Sequence, residues 1–123
     1  MPSQRQLRVG EAIRHALANV LMRGDVPWPK GFAAPVVTIT EVTVSPDLQN
    51  AIAFVIPLGG KKTDSTVTAL NAIVGFFRHA LAESVKLRYV PRLTFKADDS
   101  FTNAQNIEKI LQDPVVAKDL AKD

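Results

Sequence analysis

The period of the apolar positions alternates between helical and extended spacing along this chain. From Gln4 to Arg23, Val9, Ile13, Ala16, Leu17, Val20 and Leu21 follow three-and-four spacing. That is one buried helical face, with Arg8, Glu11, Arg14 and His15 mostly elsewhere and Gly24 as the terminator. Residues Val36 to Leu58 are rich in β-branched residues and alternate, and Ser45-Pro46-Asp47 supplies turn chemistry, so they predict a β-hairpin. The alternation slips near Glu41, as a β-bulge would cause. The second strand carries apolar residues on both parities, Ala51, Ala53 and Val55 on one and Ile52, Phe54 and Ile56 on the other. One set must meet the helices and the other a covering segment or a partner.

Helical spacing resumes at Val67, Leu70, Val74, Phe77, Leu81 and Val85, and Gly75 interrupts it. A glycine inside a helix costs roughly 1 kcal/mol against alanine. Gly75 therefore predicts a kink, or a place where another backbone comes close. Downstream, Leu93, Phe95 and Ala97 alternate with Arg92, Thr94 and Lys96, so a strand opened by Val90-Pro91 would carry its basic residues on one face. Between these elements, GDVPWPKGFAAP is a long loop in which Trp28 and Phe32 fold back as a satellite cluster. Asp64 or Ser65 caps the second helix. Asp98, Asp99 or Ser100 caps a last helix whose apolar side is Ile107, Ile110 and Leu111. The predicted order is α-β-β-α-(kink)-α-β with a C-terminal helix. Elements in blocks rather than strict alternation make this an α+β two-layer domain with its helices on one sheet face.

The composition is that of an ordinary globular domain, 46% apolar and 22% charged over 123 residues. The apolar runs are too short to span a bilayer and MPSQRQLRVG lacks a signal-peptide core, so a soluble, cytoplasmic protein without a membrane partner is expected. The absence of cysteine excludes disulfides and thiolate metal sites.

Charge is unevenly spread. Residues 1–30 hold five Lys/Arg against two acids, residues 61–96 seven against two, and residues 97–123 three lysines against six acids. Two basic regions point to a polyanion partner, and the acidic tail opposes wholly nonspecific binding.

Three pieces of the sequence together resemble the ribosome-binding factor A family: RVGEAIRHALANVL, VTITEVTVSPDLQNAIAFVIPLG and LRYVPRLTFKADDSFTNAQNIEKIL. Val44-Ser45-Pro46-Asp47-Leu48 and Leu87-Arg88-Tyr89-Val90-Pro91 are the specific parts. The resemblance covers roughly residues 7 to 112. It implies a type II KH-like fold, with residues 1–112 a single rRNA-binding domain and 113–123 a flexible acidic tail. It also implies binding to precursor small-subunit rRNA in late ribosome biogenesis and rRNA processing, with importance under cold shock, and release by a ribosome-associated GTPase or an initiation factor. KH domains clamp RNA with a GxxG loop. This family has an Ala-x-Gly kink instead, and the aligned triplet here is Ile73-Val74-Gly75, which keeps the glycine and replaces the alanine.

The expected RNA-binding residues are Arg78, Lys86, Arg88, Arg92 and Lys96, five cations within nineteen residues against Glu83 alone. Arg78 is expected one turn past the kink, with Lys86 broadly on the same side. Arginine forks suit phosphate, and lysine adds less directional charge. Arg5, Arg8, Lys61 and Lys62 are second-rank members of this set; for Tyr89, base stacking is the alternative to the partial burial expected from its place beside apolar strand residues. His15 and His79 have no nucleophile near them in sequence, no phosphate-binding glycine loop is present, and Asp98-Asp99-Ser100 reads as a helix cap rather than a metal site. The expectation is a noncatalytic monomer without metal or cofactor. A KH-like module with a nonribosomal RNA target, and a protein–protein adaptor using the second apolar parity of Ala51–Ile56, are the alternatives.

Overall fold

In the computed structural model, which describes residues 2–32, 35–58 and 63–99, α1 spans Gln4–Arg23. Its apolar stripe buries Ile13, Ala16, Leu17 and Val20. A capping box starts the helix: Gln6 N donates to Ser3 Oγ and Ser3 N donates to Gln6 Oε1. Gly24 ends it in the left-handed conformation, at φ 77°. Trp28 and Phe32 then stack with ring centroids 5.7 Å apart, as the loop composition predicts.

The hairpin consists of β1 (Val37–Val44) and β2 (Asn50–Pro57). Their antiparallel register shifts between Ile39 and Glu41, where the alternation slips in the sequence. Val55, Ala53 and Ala51 are buried against the helices, leaving Ile52, Phe54 and Ile56 half-buried on the outer face. The third strand, β3 (Arg92–Ala97), pairs with β2 in parallel, giving the sheet order β1-β2-β3. Leu93 and Phe95 face the core while Arg92, Thr94 and Lys96 are exposed, as period-two spacing dictates. This is the α+β two-layer arrangement expected of a type II KH-like domain.

The second helical stretch is broken within the Ile73-Val74-Gly75 triplet, at Ile73 rather than at the glycine expected to carry the kink. α2 (Thr63–Ala72) and α3 (Val74–Ser84) meet at Ile73, whose φ of −114° and ψ of 24° are not helical. Ile73 N bonds Leu70 O and Phe76 N bonds Ile73 O, so the junction is bridged by tight three-residue turns. Ile73, Val74 and Gly75 are consecutive weak helix formers, which concentrates the propensity cost here. Gly75 itself is helical, and a Cβ built on it would have no neighbour within 4 Å. The close backbone approach expected there occurs instead at Gly10, where a Cβ would lie 2.6 Å from Val42 O. Gly10 is what lets α1 sit directly on β1. Thr63 rather than Asp64 or Ser65 is the first residue of α2, so Asp64 lies within its first turn, where a carboxylate faces the free N–H groups.

The core joins Ile13 and Leu17 of α1, Leu70 of α2, Phe77 and Leu81 of α3, and Val55 and Phe95 of the sheet. Phe77 meets Phe95 edge-on, at 5.1 Å between centroids. The expected C-terminal helix and the acidic tail lie outside the described residues.

Candidate nucleic-acid interface

Three chain segments meet at one end of the sheet, each held by a hydrogen bond that the sequence makes available. Gln6, already part of the α1 cap, donates its Nε2 to Val44 O at 2.8 Å and ties the start of α1 to the hairpin. Within the turn, Ser45 N bonds Asn50 O, and Leu48 takes a positive φ of 61°. Gln49 O then accepts from Arg92 N at 2.8 Å, which fastens the turn to the start of β3. The third segment is the connector between α3 and β3, where Arg78 Nε donates to Pro91 O and its Nη2 to Val90 O, both at 3.2 Å.

These ties gather the basic residues. Arg78 and Arg92 line one shallow groove with Gln49 and Tyr89. Arg5, Lys86 and Arg88 line a second groove with Leu48 and, again, Tyr89. Each of these cations is exposed, and no ion pair among the described residues engages any of them. One carboxylate, Asp47, also lines the second groove, and it is occupied locally. It accepts from Ser45 Oγ at 2.6 Å and from Gln49 N at 3.1 Å. The Ser45 bond first, then the Gln49 N–H, holds its carboxyl below the usual value of 3.8. The site is therefore a group of exposed cations on backbone pinned around a hairpin turn, suited to several phosphates at once.

Several expected members stand elsewhere. Lys96 shares a strand face with Arg92 but lies about 13 Å further along, at roughly 3.3 Å per residue. It lines a separate groove with Asp64 and Asp99. Lys86 follows the end of α3, so it reaches the site through the connector rather than by sharing a helical side with Arg78. Arg8 is exposed on α1 and lines neither groove. Lys61 and Lys62 fall outside the described residues. Gly75 and the break at Ile73 belong to the start of α3, whereas the connector cations gather beyond its end. Tyr89, expected to be partly buried, is 67% exposed, because the period-two pattern begins only at Arg92 and the connector before it turns the ring outward. The sequence signal for the missed groove residues was the turn itself: Ser45-Pro46-Asp47-Leu48-Gln49 places Gln49 against β3.

His15 and His79 pair with Glu11 and Glu83 on their own helices. No cluster of potential metal ligands occurs among the described residues, and no described helix is long and apolar enough to cross a membrane.

Comparison with known proteins converges on one family. The family model for ribosome-binding factor A matches residues 5–111. A ribosome-binding factor A of Rhodopseudomonas palustris is 47% identical over 98% of this chain and 88% of its own length. That of Paramagnetospirillum magneticum is 46% identical over 97% and 83%, respectively. Among solved structures, a solution structure of a Thermotoga maritima protein described as a candidate ribosome binding factor A superposes with a TM-score of 0.64. It is 29% identical and the match covers 81% of this chain and 92% of that one. The crystal structure of ribosome-binding factor A from Thermus thermophilus shares the fold, with a TM-score of 0.62 at 22% identity over 75% and 94% of the two chains.

Proposed function

Because this chain belongs to the ribosome-binding factor A family, we propose that it is a ribosome-binding factor that assists late maturation of the small subunit by binding its precursor rRNA. The observation that supports the RNA part is the convergence of Arg5, Arg78, Lys86, Arg88 and Arg92 on two adjoining grooves without a competing ion pair. Such an array binds through phosphate charge and release of counterions, which gives affinity but little sequence choice. Specificity would come from the shape of the folded RNA and from neighbouring ribosomal proteins. The action is binding and release, with no covalent step, performed by a monomer in the cytoplasm.

Sedimentation of a lysate on a sucrose gradient tests this reading. The protein is expected with free small subunits at low salt, and the Arg88→Glu/Arg92→Glu variant at the top of the gradient. A wild-type protein that stays at the top refutes the reading.

One observation favours a second role. Ile52, Phe54 and Ile56 remain half-buried on the outer sheet face, a surface suited to a protein partner. If Phe54→Ser releases the protein from subunits while the charge reversal does not, the adaptor reading replaces the RNA one.

A further inference from the structure

We infer that Tyr89 is a stacking platform for one unpaired nucleobase, so that the basic end engages single-stranded rather than duplex RNA. The inference rests on the RNA-binding reading and adds the class of RNA taken.

Among the described phenylalanine, tryptophan and tyrosine side chains, Tyr89 is the one in the exposed class, at 67%. The described phenylalanine and tryptophan rings are buried or half-buried, and the exposed imidazoles of His15 and His79 pair with carboxylates on their own helices. The Arg88 guanidinium carbon lies 5.6 Å from the ring centroid, within cation–π range, and occupies one face of the ring. That contact steadies a ring whose side chain stays largely open to solvent. Tyr89 also forms the wall shared by both grooves, with Arg78 and Arg92 on one side and Arg5 and Lys86 on the other. A base stacked on the ring would thus have cations available to its flanking phosphates on both sides.

The chemistry selects the occupant. Every base offers a π face, and aromatic stacking with flanking cations is how single strands are held without sequence choice. A duplex keeps its bases stacked on each other and presents only phosphates and groove edges to such a ring. An acidic peptide would match the cations but leave the ring without a partner.

The connector backbone is held independently of the ring, by Arg78 on Val90 O and Pro91 O. Tyr89 can therefore be changed without removing these bonds.

The test uses the full chain and its sole tyrosine. Fluorotyrosine incorporation gives a single ring resonance, followed while a short oligoadenylate is added and, separately, a blunt RNA duplex at equal phosphate concentration. The single strand is expected to shift the resonance and the duplex to leave it in place. Tyr89→Leu, which keeps bulk and removes the π face, should weaken oligoadenylate binding about 5- to 150-fold, while Tyr89→Phe retains it. Duplex binding should be equal in all three proteins. Unchanged oligoadenylate affinity in Tyr89→Leu overturns the inference. If Arg88→Glu/Arg92→Glu abolishes binding in that same case, the RNA-binding reading stands and only the platform falls. If neither variant alters binding, both fall. Loss of subunit association in Tyr89→Leu without any change toward oligoadenylate would assign the ring to a protein contact, and would also overturn the inference.

Discussion

The Asn71 side chain acts as a short extra strand against Phe95. Its Nδ2 donates to Phe95 O at 3.0 Å, and its Oδ1 accepts from Phe95 N at 2.8 Å. A single amide thus satisfies both backbone groups that Phe95 would otherwise present unpaired at the edge of β3, and it pins the end of α2 to the sheet. Asn71→Ala is expected to cost about 2 kcal/mol, since two partly buried backbone groups lose their partners. Asn71→Asp should cost at least as much, because a carboxylate would face Phe95 O where a donor stood. Urea denaturation midpoints measure both, and near-wild-type values would refute this role.

The two helical glycines should respond in opposite directions. Gly10→Ala gains about 1 kcal/mol of helix propensity but drives a methyl group to 2.6 Å from Val42 O. Overpacking of this kind costs about 1–3 kcal/mol, and the facing atom is backbone that cannot swing aside, so net destabilisation is expected. Gly75→Ala meets nothing within 4 Å and should stabilise the protein by about 0.5 kcal/mol. Thermal melts of the two variants check the contrast; a destabilised Gly75→Ala would restore the kink to that residue.

Charge reversal should separate the two ends of β3. Replacing Arg88 or Arg92 by Glu is expected to make the slope of log affinity against log salt shallower by about one unit for each residue that meets a phosphate. Lys96→Glu should change it little, since Lys96 lies in another groove beside Asp64 and Asp99. Filter binding of precursor rRNA over a salt series measures the slopes. An equal effect at Lys96 would show that the interface extends along the whole strand.

The hairpin turn should weaken in acid. Hydrogen bonds from Ser45 Oγ and Gln49 N hold the Asp47 carboxyl below 3.8 in the folded state. A depressed carboxyl contributes stability that is present above its unfolded pKa and lost as pH falls through the folded one. Wild type should therefore exceed Asp47→Asn in stability by a constant margin near neutrality, and that margin should close below about pH 4. Denaturation midpoints across this range test the sign.

Much of this architecture can be read locally, because its causes are local. The α1 stripe, the left-handed Gly24, the slip beside Glu41 and the exposed parity of β3 all follow from period and backbone freedom over a few residues. The exchange of roles between Gly75 and Gly10 shows where such reading stops. Gly10 falls in line with the buried Ile13 and Leu17, on the face that meets β1, whereas Gly75 lies between the buried positions Leu70 and Phe77 and points outward. The spacing thus contained the distinction, although propensity alone weights the two glycines equally. The cation cluster was legible as charge but not as a place. Strand parity puts Lys96 beside Arg92, and only the packing of α2 brings Asp64 to Lys96. Tertiary bonds through Gln6 and Gln49 bring Arg5 into the opposite group.

The Gln6–Val44 bond has a practical corollary for anyone handling the protein. It fixes the first turn of α1, with Arg5, next to the hairpin turn, so residues appended ahead of Ser3 emerge at the rim of the grooves. An acidic epitope tag placed there would act as a tethered competitor, at an effective concentration in the millimolar range for a short flexible linker. Preparations carrying it would report artificially weak affinity until the tag is cleaved.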